Sequence, residues 1–371
     1  MKFRTFYLFS LLICLFQTNR ADAFKSYTDT LYAAKLKPFG RYLLNDENKL
    51  EMISSAVHFG FKFTGGRCAI YASLKQSQGH NYIQYEVDGV YQKRIRIEAN
   101  QAEPVIISTN GPGEHTVWIY KTTEAHTGAI QISKIAADHI RPLKVRKAPL
   151  IEFIGNSITC GAATDTTDFA CGTGEYHDQH NAYMAYGPRV SRKLGANYIM
   201  SSVSGIGIYR TWNMESPSMP QVYEQIDFKT GTLQKWNFKK YSPKIVSIAL
   251  GTNDLSIGDG KNARKPFNKQ VFVDQYVNFI KLVKSKYPKA RIALLSSPMV
   301  KGKERELLET CLDTVKKRTD SLYPSDPGVE TFFFPTMNPH GCTGHPSIAD
   351  HQILAEQLLP FYKKLLDQSI L

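Results

Sequence analysis

The sequence predicts an all-β sandwich followed by a three-layer α/β domain with a mainly parallel sheet. Three observations carry that prediction. Between about residues 40 and 140, short runs alternate apolar and polar side chains and are separated by Gly, Pro and Asn turns. That is the pattern of antiparallel strands with one buried face. Near Arg141-Pro142 the pattern changes, and from Pro149 onward short apolar runs alternate with longer stretches at helical spacing, as βα units do. Finally, Lys244 to Gly251 lacks polar alternation, as expected of a parallel strand covered on both faces. The 371 residues suit two domains of roughly 100–200 residues each.

The first segment stands apart from both. Lys2 and Arg4 precede an apolar run from Phe6 to Phe16, and Ala21-Asp22-Ala23 supplies small residues for cleavage. This is the build of a signal peptide, and the run falls short of the about 20 apolar residues that span a bilayer. Ile13 is bulkier than the small residue expected before a lipidated cysteine, which disfavours an anchor at Cys14. The expected organisation is a signal peptide over 1–23, a β-sandwich over 24–145 and an α/β domain over 146–371. The mature chain is then expected to be soluble, secreted or periplasmic, and not membrane-bound once the leader is cleaved.

Within the β part, Ser55–Phe63 and Asn81–Val87 alternate, and the second run ends at Asp88-Gly89. Asp-Gly favours a two-residue hairpin because it tolerates positive φ. Tyr91–Glu98, Pro104–Ser108, Glu114–Lys121 and Ala129–Ile135 continue the series. In the α/β part, strands are expected at Leu150–Gly155, Tyr198–Val203, Lys244–Gly251, Arg291–Ser296 and Thr331–Phe334. Helices are expected at Asn181–Leu194 (ending at Gly195), Phe272–Tyr287, Glu304–Arg318 and Ser347–Leu366. Ligands of such sheets bind beyond the C-terminal ends of the strands, so chemistry is sought just after each one.

The hydrophobic fraction of 42% and charged fraction of 21% are those of a globular protein. The net charge of +13 becomes about +11 when Lys2, Arg4, Arg20 and Asp22 leave with the leader. A basic secreted protein can meet an acidic polysaccharide or membrane surface, although a solvated basic surface is the plainer explanation of the charge. Zinc-finger spacing, RNP-like motifs and sustained Lys/Arg runs are absent, which argues against nucleic acid. Cys68, Cys160, Cys171, Cys311 and Cys342 remain after cleavage. That odd number leaves at least one unpaired within the chain. Cys160 and Cys171 flank a Gly/Thr/Asp-rich loop and are a candidate bridge.

Four short elements follow strands or open the last helix. Gly155-Asn156-Ser157-Ile158-Thr159 places a serine at the sheet edge beside free N–H groups, where a nucleophile that forms an oxyanion belongs. Its alternative is a plain turn serine, and it is not the G-x-S-x-G elbow. Ser204-Gly205-Ile206-Gly207 lets backbone approach a bound group, or is simply a glycine-rich turn. Gly251-Thr252-Asn253-Asp254 offers an amide donor for an oxyanion, or an Asx turn. His345-Pro346-Ser347 has Pro at a helix start, which structure alone would explain.

Taken together and in this order, the four elements resemble the blocks of the SGNH (GDSL-like) hydrolases over roughly residues 149–368. That resemblance implies a flavodoxin-like α/β domain. It implies Ser157 as nucleophile, His345 as base, and an oxyanion hole made by the N–H groups of Ser157 and Gly205 and the amide of Asn253. Asn156 stands where the family usually has aspartate. Gly-Asn-Ser-Ile-Thr-Cys-Gly at 155–161, Asn181–Gly187, Ser204–Arg210 and Met219-Pro220 further resemble the family 2 carbohydrate esterases. Those pair an N-terminal jelly roll with the SGNH domain and remove acetyl groups from xylan and related polysaccharides. The implied chemistry needs no cofactor, and the implied partner is an acetylated polysaccharide or oligosaccharide. A short-chain acyl esterase of lipase type and a non-catalytic glycan-binding protein are the competing readings.

One departure bears on mechanism. Many SGNH enzymes carry an aspartate three residues before the catalytic histidine, and some family 2 members two before. Here those positions are Cys342 and Thr343. The expectation is a Ser157–His345 dyad with a backbone carbonyl on Nδ1, and with Asp350 on the next helix pointing away. His351 is expected to pack within that helix. His177 and His180 flank Asp178, but no metal site is expected there. Trp212 and Trp236, in the long 209–240 loop with Tyr209 and Tyr223, are candidate sugar platforms; as an alternative, each is core.

Overall fold

The computed structural model describes residues 27–144 and 147–367. The expected signal peptide and the junction at 145–146 lie outside the described residues. The first part contains β1 (Asp29–Tyr32), β2 (Tyr42–Leu44), β3 (Leu50–Met52), β4 (His58–Leu74), β5 (His80–Val87), β6 (Val90–Glu98), β7 (Val105–Ser108), β8 (Glu114–Lys121) and β9 (Ile130–Pro142). Pairing is antiparallel throughout, in the order β2-β3-β9-β4-β8-β5-β6, with β1 on β9 and β7 on β4. Alternate positions turn Phe59, Phe61 and Phe63 of β4 into the core with Ile83, Ile119 and Ile135. At the β5–β6 hairpin Asp88 and Gly89 both take positive φ, 52° and 79°, the type I′ geometry that Asp-Gly favours.

Two features depart from the sequence reading. β4 does not stop at Gly65-Gly66: it runs on to Leu74 and pairs with β8 first and β7 later. Register shifts against β9 between Lys62 and Thr64, and between Thr64 and Ala69, absorb the bend at the glycines. β1, β2 and β3 have only three or four residues each, too short to show a period.

The second part holds β10 (Leu150–Gly155), β11 (Asn197–Ser202), β12 (Ile245–Ala249), β13 (Arg291–Leu295) and β14 (Glu330–Phe332). All are parallel, in the order β11-β10-β12-β13-β14. This is the 2-1-3-4-5 order of flavodoxin-like sheets, whose switch point lies beside the first strand. The helices are α1 (Ser157–Cys160), α2 (Tyr186–Leu194), α3 (Met219–Val222), α4 (Lys269–Lys286), α5 (Gly302–Leu322) and α6 (Ile348–Asp367). One face of the sheet, with Val246 and Ile248, packs on α4 and α5. The other, with Ile151 and Phe153, packs on α2 and α6. Burial of both faces accounts for the unbroken apolar strands. α2 starts at Tyr186 rather than Asn181, so that Pro188 falls in its first turn, where the missing N–H costs nothing. It ends on Gly195 at φ 63°.

The two parts share buried polar contacts. Arg41, 1% exposed, donates to the carbonyls of Tyr223 (2.7 Å) and Gln225 (2.6 Å) and lies over the Phe228 ring. Arg94 of β6 donates to the carbonyls of Asp178 (2.7 Å) and His180 (3.0 Å). A guanidinium withdrawn from water needs such acceptors, so these arginines fix the β part against the loops that frame the site.

Candidate active site

The site forms where β10, β11 and β12 end. Gly155 closes β10, and a Cβ there would meet Ala249 O at 3.2 Å and Thr159 Oγ1 at 2.0 Å, so only glycine lets the chain turn into α1. Asn156 caps α1, its Oδ1 accepting the Ile158 N–H at 3.1 Å. The amide oxygen thus does what an aspartate would do at this cap, without the charge. Ser157, 8% exposed, follows as the first helical residue.

Gly205 follows β11 at φ 77°, and a Cβ on it would touch Trp212 Cδ1 at 2.8 Å. Beyond it the chain is pinned by Asp254, whose carboxylate accepts the N–H groups of Ile208 (2.9 Å) and Tyr209 (3.0 Å). Burial pushes the Asp254 carboxyl up to about 6, against these hydrogen bonds and Arg210. The neighbouring Asn253 donates one Nδ2 hydrogen to Ile206 O at 2.8 Å, and a primary amide has a second to offer. Among the described residues, the N–H groups of Ser157 and Gly205 have no protein acceptor.

His345 approaches from the turn before α6, with Nε2 2.9 Å from Ser157 Oγ. Its Nδ1 lies 3.0 Å from Thr343 Oγ1, which in turn donates to Cys342 O at 2.7 Å. Burial lowers the His345 pKa below its ordinary value, opposed by the Cys342 and Thr343 backbone carbonyls. A neutral imidazole with its hydrogen on Nδ1 leaves Nε2 free to take the serine proton. The expected carbonyl is therefore joined by a side-chain hydroxyl. Asp350 is turned away as expected: it accepts from His340 Nδ1 (2.9 Å) and caps Ser347 (2.9 Å). His351 is fully buried against Tyr186, its Nδ1 accepting the Tyr186 N–H at 3.3 Å, and burial depresses its pKa to about 3.

These groups open onto a cavity of about 660 Å³ lined by Ser157, Gly205, Asn253 and His345 together with Tyr176, Trp212, Met299 and Thr343. Such a volume is typical of small-molecule and cofactor sites.

The surrounding chain matches two families. Residues 39–145 match "Carbohydrate esterase 2 N-terminal" and residues 153–325 match the "GDSL-like Lipase/Acylhydrolase family". The chain is an SGNH (GDSL-like) hydrolase resembling the family 2 carbohydrate esterases. It is a carboxylic ester hydrolase. The hydrolase is 31% identical over 330 residues to "Cellulase/esterase CelE" of Acetivibrio thermocellus, covering 86% of this chain and 38% of that one. It therefore spans well under half of that relative. It is 23% identical over 358 residues to an "Acetylxylan esterase / glucomannan deacetylase" of Cellvibrio japonicus, covering 94% of each. A family two carbohydrate esterase from Clostridium thermocellum, solved with cellohexaose, superposes with a TM-score of 0.75 at 28% identity, over 91% of this chain and 99% of that one.

Two candidates fail against the geometry. Trp236 is not a platform: it is 4% exposed and packs edge-on to Tyr42 beside Tyr241, because the β part covers that stretch of the 209–240 loop. Trp212, at 42% exposed, lies on the cavity wall. Cys160 does not bridge to Cys171: the disulfide of the hydrolase joins Cys171 to Cys342, while Cys160 points inward to Ser202 Oγ at 3.2 Å. His177 and His180 do not act together. His80, His177 and Asp178 gather instead: Asp178 meets His80 Nε2, Tyr82 and the Glu175 N–H, and His177 meets His80 O and the Glu175 carboxylate. His180 turns to Glu124 at 3.2 Å. The sequence reading missed Tyr176, Met299 and Glu124, none of which sits in a motif.

Proposed function

We propose that the hydrolase is a secreted carbohydrate O-acetyl esterase that removes acetyl groups from xylan or a related polysaccharide. The observation that carries this reading is the 2.9 Å contact between Ser157 Oγ and His345 Nε2 at the wall of a cavity shared with Gly205 and Asn253. In the first step His345 Nε2 takes the Ser157 proton as Oγ attacks the acetyl carbonyl carbon. The oxyanion accepts from the N–H groups of Ser157 and Gly205 and from Asn253 Nδ2. His345 then protonates the sugar oxygen, which leaves. Water attacks the acetyl-Ser157 ester, giving a proton to His345; as the adduct collapses the Oγ–acyl bond breaks, His345 returns the proton to Ser157 Oγ, and acetic acid departs to ionise as acetate. No cofactor enters these steps.

The polysaccharide assignment is supported by the names of the relatives and by Trp212, whose exposed ring offers a flat apolar face for a sugar. The leader-like run Phe6–Phe16 supports export. We further read 24–145 as a jelly-roll domain and 146–371 as the catalytic domain, in line with the bent pairing of β4 and β9. The short-acyl esterase remains the competing reading, because an apolar wall with Met299 also suits an acyl chain. Rates on aryl esters from acetate to octanoate separate the two. A deacetylase falls off with chain length, whereas activity that grows toward octanoate rejects it.

A further inference from the structure

The buried carboxylate that the His345 turn lacks stands on the other part of the chain. We propose that Glu124, in the turn between β8 and β9, is a positioning residue for the esterase: it fixes the Val203–Ser204 peptide, next to the one that presents the Gly205 N–H to the reacting carbonyl oxygen, and it supplies a fixed negative charge to the imidazolium that His345 becomes. This rests on the esterase reading above.

Glu124 is 4% exposed and reaches under the end of β11. Its Oε2 accepts the Ser204 N–H at 2.7 Å, so the peptide one residue before Gly205 is set by this carboxylate. Its Oε1 meets His180 Nε2 at 3.2 Å. The other His180 nitrogen, Nδ1, accepts the Ala163 N–H at 3.5 Å. Nε2 therefore faces the carboxylate with its hydrogen, and His180 donates to Oε1. Lys121 anchors the turn rather than the carboxylate: Nζ donates to the carbonyls of Thr123 (3.0 Å) and Glu124 (2.6 Å). Burial lowers that ammonium to about 7, so near neutrality it is only partly charged.

Burial opposes ionisation of Glu124, but His180 and the Ser204 amide prevail and hold the carboxyl down at about 2. It is thus a carboxylate throughout the working range of a histidine base. The path to His345 runs through Tyr176, whose ring meets His180 edge-on at 4.6 Å and His345 at 6.3 Å. The titratable groups around Glu124 are Lys121, Cys160, Tyr176, His180 and His345. Facing His345 are His180, Glu124 and, from α6, His351. Of the charges that act on His345, Glu124 favours its cation and His180 disfavours it.

The test compares Glu124→Gln, which keeps shape and an acceptor but removes the charge, with Glu124→Asp, which keeps the charge but shortens the reach. His345 is titrated by NMR, its signal assigned by loss in His345→Asn, and kcat and KM are measured on an aryl acetate from pH 4 to 9. In Glu124→Gln, His345 should titrate at lower pH than in wild type, with kcat down about tenfold or more and KM unchanged. Glu124→Asp should restore the wild-type titration while kcat stays low. An unshifted His345 titration in Glu124→Gln, or kcat within twofold of wild type, overturns the proposal. If Glu124→Gln fails to fold, Glu124→Asp decides, and wild-type kcat there overturns the positioning role. The NMR titration reads the charge whether or not the chain hydrolyses acetate, so failure of the esterase reading is told apart by an inactive wild type.

Discussion

Replacing Thr343 by valine removes one oxygen from the site and almost no volume. In the wild type that oxygen accepts from His345 Nδ1 at 3.0 Å and donates to Cys342 O at 2.7 Å. As the serine proton moves to Nε2, the Nδ1–H becomes part of a cation, and a hydrogen bond to a charged group contributes about 1.5–3 kcal/mol. At 1.36 kcal/mol per tenfold, its loss lowers kcat by about ten- to a hundredfold. The Thr343 side chain is exposed, so a water can occupy the vacated place and hold the loss toward tenfold. Thr343 also sits at φ 51°, where a β-branched side chain is strained. Valine keeps that strain, so stability should barely change. Serine at 343 keeps the hydroxyl and should keep wild-type kcat. The assay is kcat and KM on an aryl acetate beside a thermal melt. Full activity of Thr343→Val would mean that the Cys342 carbonyl alone orients His345. Equal losses in the valine and serine variants would point to the backbone instead.

Other expectations follow from the same geometry. Asn253→Ala should lower kcat about 10²–10³-fold with KM little changed, and a wild-type rate would remove Asn253 from the oxyanion hole. Because burial holds His345 below its ordinary pKa, kcat/KM should keep its plateau to lower pH than an unperturbed histidine allows, and a limb at or above about 6.5 contradicts this. The Cys171–Cys342 bridge closes a sequence separation of 171, so Cys171→Ser/Cys342→Ser should lose about 2–5 kcal/mol, toward the upper end for so long a loop; an unshifted denaturant midpoint would show that the bridge contributes nothing. His58, buried among Phe39, Tyr120 and Tyr198, is held down to about 4. Between about 6.5 and 4 the unfolded chain binds a proton that the folded one refuses, so stability falls as pH drops through that window, by about 3 kcal/mol from this group. Protonation of Asp254, raised to about 6, offsets part of it. Stability of His58→Gln that falls as steeply as wild type over that range would contradict the assignment.

What was legible in the sequence is what local pattern and sheet topology determine. Ser157, Gly205 and Asn253 could be found because each lies within a few residues of the end of a parallel strand, and strand order alone brings those ends together. His345 could be found because it opens the last helix. The hairpin at Asp88-Gly89 and the end of α2 at Gly195 were legible because both need positive φ. Contacts between distant segments were not. Trp236 reads like Trp212 in the sequence, and only the β part packed over it makes one core and leaves the other on the cavity wall. Cys160 is nearer to Cys171 along the chain, yet α1 turns it inward while the 165–175 loop crosses to Cys342. Glu124 carries no motif, since its role depends on the turn after β8 reaching beneath β11. The absent aspartate before His345 was visible, but the hydroxyl of Thr343 as substitute was not, because nothing in a lone threonine marks a left-handed turn.

The most direct test of the central claim is trapping of the acetyl intermediate. Mature protein and its Ser157→Ala variant are mixed with acetylated xylan; released acetate is measured, and a rapidly acid-quenched sample is digested and searched by mass for acetyl on the peptide that spans residue 157. The account predicts acetate release and acetylated Ser157 from the wild type and neither from the variant. Acetate release by Ser157→Ala at the wild-type rate would contradict it.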